Sequence, residues 1–276
     1  MLLRLLRGLV YEIRPLPMGA ALLAALLGVR VAHGELALAF PFLALVFLGL
    51  YAGHLLDSYV DYELRHEPKL VYLGIFEDSG GLLAGRELLA ATAVSLVAFA
   101  TLLASVAHAG LAFVLVALSG AAIAVAYAPL LDRNPVTVSL AYPVGVVAAF
   151  LGGALWATPS PDPRLALFAL VLATYLVGGK IVSDEIDLAS DAAMGKRTAQ
   201  VALGRARARR LGHALCVAGL AVATALALTG VASLVSLVGV AGAAALLAQS
   251  ARMPVERGIV VLVAGGYVYL VTLFVA

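Results

Sequence analysis

Apolar stretches of about 20 residues, the length an α-helix needs to cross a bilayer, recur along the chain between short polar segments. Hydropathy windows of about 19 residues place such helices near 16–32, 36–56, 88–107, 110–131, 135–157, 164–182, 211–229, 231–250 and 258–275. The pattern predicts an all-α polytopic membrane protein of nine transmembrane helices, with 1–276 as one transmembrane domain. Ahead of the first span, Leu2, Leu3, Leu5, Leu6, Leu9, Val10 and Ile13 alternate with Arg4, Arg7 and Arg14 at helical period. That period predicts an amphipathic helix within 1–15, lying along the membrane interface. A cleaved signal peptide would share the basic start, but no convincing small-residue cleavage site follows, and further spans do.

Composition agrees. Hydrophobic residues make up 63% and charged residues 12% of 276 positions, where a soluble domain is about a quarter charged. A soluble globule is excluded, and no sizeable soluble domain fits beside the spans. The lone cysteine, Cys216, allows neither an intrachain disulfide nor a cysteine metal cage. A net charge of +2 gives no reason to expect a nucleic-acid partner, so the placement of the charges matters more. Sixteen of the eighteen Lys and Arg fall on one side of the predicted spans, leaving only Arg30 and Arg164 on the other. Cytoplasmic loops keep the positive charge, so the amino terminus is expected inside and the carboxyl terminus outside, in the plasma membrane of a prokaryote.

The acids are concentrated too. Ten of sixteen follow either the second or the sixth predicted span. The first group contains Gly53-His54-Leu55-Leu56-Asp57-Ser58-Tyr59-Val60-Asp61, and the second Ser183-Asp184-Glu185-Ile186-Asp187-Leu188-Ala189-Ser190-Asp191. His54, Asp57 and Asp61 share their spacing with Asp184, Asp187 and Asp191. Side chains at i and i+4 lie on one helix face, so each segment is expected to point paired carboxylates the same way. Carboxylates at the edge of apolar helices are costly unless paired or metal-bound. Opposed oxygen ligands without a cysteine or histidine cluster suit Mg²⁺ completed by a substrate phosphate. A cation or proton transporter would also carry membrane acids, but its site is expected nearer mid-membrane. The CDP-alcohol phosphotransferases use acidic membrane motifs as well, but the DG…AR run that precedes theirs is missing here.

A diphosphate would need cationic donors. Arg65, Lys69, Lys180, Lys196, Arg197 and Arg133 are the candidates, each of which could instead serve loop solvation or, for Lys180, pair with Asp184. Tyr127 and His54 are candidates for the substrate pocket; Tyr127 could also be an interfacial belt residue, and His54 a partner of Asp57. Gly152-Gly153 and Gly178-Gly179 read as sites of close helix contact. No GxGxxG, Walker, GxSxG or HExxH pattern occurs.

These motifs resemble those of the UbiA superfamily of intramembrane prenyltransferases, which carries NDxxDxxxD after its second helix and DxxxD after its sixth, on nine helices. Asp57 and Asp61 match the last two acids of the first motif, and Asp187 and Asp191 match the second. Gly195-Lys196-Arg197-Thr198, with Val201, Leu203 and Gly204, resembles the GKRT…V.LG continuation, most closely that of the dihydroxynaphthoate branch. Asp78-Ser79-Gly80-Gly81-Leu82-Leu83 resembles the SG.(I/L)S turn before the third helix, and Tyr127-Ala128-Pro129 the tyrosine turn after the fourth. The chain departs from the pattern at Gly53-His54, where the family has Asn-Asp, and at Glu77-Asp78, where it commonly has Arg-Pro. The resemblance implies Mg²⁺-dependent transfer of an isoprenyl chain from a polyprenyl diphosphate donor to a lipophilic acceptor, first an aromatic quinone precursor, alternatively geranylgeranylglyceryl phosphate or another lipid. It further implies that two Mg²⁺ ions are held by Asp57, Asp61, Asp187 and Asp191, which are the catalytic set, with Asp184 beside them.

Overall fold

The computed structural model describes residues 2–66 and 83–275. Lys69 and the segment Glu77-Asp78-Ser79-Gly80-Gly81-Leu82 lie outside the described residues. The described residues are helical, without strands: α1 (Leu2–Tyr11), α2 (Pro15–Val31), α3 (Phe40–Tyr59), α4 (Gly85–Ser105), α5 (Leu111–Leu130), α6 (Pro135–Ala157), α7 (Leu165–Ser183), α8 (Leu188–Ala193), α9 (Ala199–Leu203), α10 (Arg205–Leu228), α11 (Ser236–Ser250) and α12 (Val255–Val275). Pro15, Pro41 and Pro135 stand in first turns, where no intrahelical donor is lost. Asn134 caps α6 by accepting the Val136 N–H at 2.9 Å.

Every predicted apolar segment is a helix, and nine is an approximate count of the spans. Among the described residues, seven helical stretches are long and apolar enough to cross a membrane, and α1 with α2, bent by 58°, makes an eighth only as a pair. At 1.5 Å per residue, the 15 residues of α11 cover about 22 Å, short of a hydrocarbon core of about 30 Å. This is an integral membrane protein.

Small residues let the helices approach one another. A β-carbon on Gly153 would lie 2.1 Å from the Ala25 carbonyl oxygen, and one on Gly28 would lie 1.9 Å from that of Phe150, so α2 and α6 touch through their backbones. Gly178 and Gly212 do the same for α7 and α10.

The amino-terminal helix is docked on the bundle. Leu5 and Leu9 of α1 pack on Leu55, Leu83 and Leu88, and the Tyr51 hydroxyl donates to the Leu9 carbonyl at 2.8 Å. Leu2, Leu3, Leu6 and Val10 remain exposed. Arg14, at the bend before α2, has φ of 48°, a left-handed conformation unusual for a residue with a side chain.

The two acid segments differ in backbone. Asp57 lies on α3, and Asp61 on the π turn Val60–Leu64 that continues it, where Arg65 N–H donates to the Val60 carbonyl. The second segment is a broken helix. Asp184 ends α7, Asp187 precedes α8, and Asp191 lies one turn into α8, its N–H donating to the Asp187 carbonyl at 2.7 Å. The i, i+4 expectation therefore holds for Asp187 and Asp191, while the break at 184–187 separates Asp184 from their helix.

Candidate active site

A cavity of about 590 Å³ opens among α2, α3, α5, α6, α7 and α12. On α3, Phe42, Leu45, Gly49, Gly53 and Asp57 all line it, a spacing of three and four that keeps them on one face. Asp61 extends this stripe at the head of the cavity, and α7 with the following turn brings Lys180, Asp184, Asp187 and Asp191 to the opposite side. Lys196, His54 and Tyr127 line it as well. Nine of the thirteen candidate residues thus meet in one cavity. Arg65, Arg133 and Arg197 do not line it, and Lys69 is outside the described residues.

Three of the acids at the head, Asp57, Asp61 and Asp184, are paired with cations. Arg14 bonds Asp57 and donates to the Ser58 hydroxyl at 2.9 Å, and Ser58 donates to the buried Glu12 carboxylate at 2.6 Å. Lys196 Nζ lies 3.2 Å from Asp61 Oδ2, and Lys180 bonds Asp184. The Lys180 ammonium is 5.8 Å from the centre of the Tyr127 ring. Like charges gathered in an apolar setting repel strongly, so this alternation is what lets the carboxylates share a cavity.

Burial pushes the Asp184 carboxyl up, against the pull of Lys180 and Lys196. It also pushes Asp191 up to about 7, with Lys196 opposing and Asp187 and Asp184 adding to the rise. Asp184 Oδ1 takes the Lys180 proton donor, while its buried Oδ2 accepts no hydrogen bond. An orphaned carboxylate oxygen costs free energy that a cation would recover. Among the described residues, no three carboxylate or imidazole ligands converge on a single point. Asp57, Asp61 and Asp184 are instead held in ion pairs with Arg14, Lys196 and Lys180.

Of the basic candidates outside the cavity, Arg65 is engaged by other partners. Arg65 bonds Asp132, reaches Asp61 at 3.1 Å and donates to the Ala128 carbonyl at 2.7 Å, and the Asp132 bond chiefly raises its pKa. Arg133 and Arg197 are exposed, and Arg197 contributes its backbone N–H to the Asp132 carbonyl at 3.3 Å. Arg65 thus ties the end of α3 to the end of α5.

Arg14 escaped the sequence reading, which placed it on an interfacial helix. Its signals are the following proline, which disfavours α-helix at position 14, and the acid two residues before it in an apolar stretch. Asp132 and Ser58 gave no comparable signal.

Comparison with known proteins decides the family. The model of the UbiA prenyltransferase family matches residues 79–257, well over half of the chain. The chain belongs to the UbiA prenyltransferase family. As a member it is a prenyltransferase by class, and its fold is shared with solved UbiA structures. The apo UbiA homolog from Aeropyrum pernix K1 is 20% identical with a TM-score of 0.74, over 95% of this chain and 98% of that one. A digeranylgeranylglyceryl phosphate synthase is 14% identical with a TM-score of 0.72, covering 98% of each chain. A UbiA homolog from Archaeoglobus fulgidus, bound to DMAPP and Mg²⁺, is 15% identical with a TM-score of 0.70, over 96% of this chain and 99% of that one. A sequence search of curated proteins found no match.

Proposed function

We propose that this UbiA-family chain transfers an isoprenyl group from a polyprenyl diphosphate to a lipophilic acceptor, with Mg²⁺, at the cytoplasmic face of a prokaryotic plasma membrane. One observation carries the reading: five aspartates and two lysines line the head of a cavity that also has long apolar walls. A diphosphate with a hydrocarbon tail has that same division. The solved relative with DMAPP and Mg²⁺ supports it, as does another Archaeoglobus fulgidus structure with GPP and Mg²⁺.

The donor set fits the cation. All five acids offer hard carboxylate oxygens, and Asp184 Oδ2 is buried without a hydrogen bond. Asp57 and Asp61 would hold one Mg²⁺, and Asp187 and Asp191 a second, with Asp184 beside them. When bound, Mg²⁺ neutralises charge on the departing diphosphate.

The chain's own groups do the rest. Lys180 and Lys196 donate to diphosphate oxygens, exchanging aspartate partners for phosphate. The allylic C–O bond breaks with its electron pair on the diphosphate, the acceptor's nucleophilic atom bonds to the allylic carbon, and the acceptor's proton leaves to water at the cavity mouth. Apolar walls keep water from that carbon, which would otherwise give an alcohol.

For the acceptor, an aromatic quinone precursor is the first reading, supported by Tyr142, Tyr175 and Tyr267 on the cavity wall of α6, α7 and α12. The fold shared with a digeranylgeranylglyceryl phosphate synthase favours a lipid acceptor as the second. Purified protein, labelled geranylgeranyl diphosphate and a panel of dihydroxynaphthoate, hydroxybenzoate and geranylgeranylglyceryl phosphate separate them by mass spectrometry of the product. A prenylated aromatic supports the first reading and a prenylated glycerol lipid the second. No prenylated product, with cation flux in vesicles, would turn the assignment to a transporter. The charge asymmetry supports a cytoplasmic amino terminus and an outside carboxyl terminus; cysteines placed at Arg133 and Ser160 should label from opposite sides.

A further inference from the structure

The cavity stripe on α3 runs from the carboxylates to an aromatic wall. Fifteen residues separate Asp57 from Phe42, which at 1.5 Å per residue puts Phe42 about 22 Å deeper along one uninterrupted helix. Between them the stripe presents Gly53, Gly49 and Leu45; α5 packs directly on it, a β-carbon on Gly53 coming within 2.8 Å of Ala124 and one on Gly49 within 3.3 Å of Ala121, so the cavity runs over a closed, apolar seam of α3 and α5.

Phe42 is held in place. It is only 2% exposed, its ring lies edge-on to Phe113 at 5.6 Å between centroids, and it stacks on Trp156 at 6.4 Å. Trp156 is itself tethered by its indole N–H to the Leu38 carbonyl at 3.2 Å. A β-carbon on Gly152 would come within 2.8 Å of Phe42 Cζ, so the ring rests directly on the α6 backbone. Phe99 of α4, which lies beside Gly49, also lines the cavity and is 6% exposed. These rings pack into one braced aromatic wall.

We propose that Phe42, backed by Phe113 and Trp156, sets the length of the isoprenyl chain this enzyme accepts. The inference rests on the prenyltransferase reading above, which places the donor's diphosphate at the aspartates. Each isoprene unit adds four chain carbons, about 5 Å when extended at ordinary C–C lengths, so about 22 Å accommodates four units. The donor selected is a diphosphate of about 20 carbons, its tail directed along α3 and α5. The other lining group, from α2, α6, α7 and α12, carries the tyrosines and is left to the acceptor.

Initial rates with purified enzyme and all-trans diphosphates of 10, 20 and 30 carbons test this. Wild type should prefer 20 over 30 carbons by about tenfold or more, because the longer chain meets the wall. Phe42→Ala should narrow that 30:20 deficit by about tenfold, and Phe42→Leu, the milder change, should narrow it in the same direction. Gly120 lies seven residues from Tyr127, about 10 Å down α5, and an added β-carbon there meets Ala148 only at ordinary contact, 3.5 Å. Gly120→Leu should therefore lower the 20:10 ratio by about tenfold. If Phe42→Ala does not fold, Phe42→Leu and Gly120→Leu decide the matter. Equal use of 20 and 30 carbons by wild type, or ratios that the folded variants leave within about twofold of wild type, would overturn the wall. Turnover with flat length dependence overturns this inference alone, whereas no turnover of any donor overturns the prenyltransferase reading together with it.

Discussion

Arg14 and Asp57, 43 positions apart in sequence, form an ion pair at the head of the cavity. The pair joins the bend between α1 and α2 to the first aspartate segment, and Ser58 and Glu12 complete the network. A docked amino-terminal helix thereby bears directly on a candidate metal ligand.

Arg14→Ala should lower transfer activity by about tenfold or more, since Asp57 loses the group that orients it and α1 loses an anchor. Arg14→Lys, which keeps the charge but not the fork, should recover only part. Steady-state rates at several Mg²⁺ concentrations check this; unchanged rates for Arg14→Ala would remove the residue from the site.

Proton competition should govern cation binding. With the Asp191 carboxyl pushed up to about 7 by burial, a cation must displace its proton below that pH. Mn²⁺ affinity, followed by electron paramagnetic resonance, should rise about tenfold per pH unit up to about 7 and then level off. Asp191→Asn should flatten the profile. Because the folded carboxyl holds its proton more tightly than an unfolded one, the cation-free protein should also lose stability as pH rises from about 4 to 7.

Close packing of α2 on α6 makes a separate demand. A β-carbon at Gly153 would sit 2.1 Å from the Ala25 carbonyl oxygen, backbone that cannot yield cheaply. Gly153→Ala should cost about 1–3 kcal/mol, seen as a lower midpoint of thermal unfolding in detergent. An unchanged midpoint would mean that the helices separate freely there.

Much of this was legible in the sequence because bilayer crossing and charge retention are read over long windows. All nine apolar segments fold as helices, and paired spacing brought Asp57, Asp61, Asp187 and Asp191 to one cavity. What escaped depends on backbone breaks and long-range contacts. Asp184 and Asp187 have helix-compatible spacing, yet the chain turns between α7 and α8. Arg65 sits one turn beyond Asp61, but Asp132, 67 positions away, draws its guanidinium out of the cavity lining. Arg14 lay in an amphipathic pattern, and nothing local to it reveals Asp57. The shortness of α11 was hidden by the apolar residues that flank it.

The most direct test of the account is metal-dependent release of diphosphate by the purified protein, supplied with geranylgeranyl diphosphate and the acceptor that yields product. Release should require Mg²⁺ or Mn²⁺, stop on chelation, return on adding Mg²⁺, and fall by at least about a hundredfold in Asp57→Ala, Asp61→Ala, Asp187→Ala and Asp191→Ala. Release that survives chelation, or near-normal rates in two of those four variants, would contradict the assignment of the aspartate cavity as a Mg²⁺-dependent prenyl-transfer site.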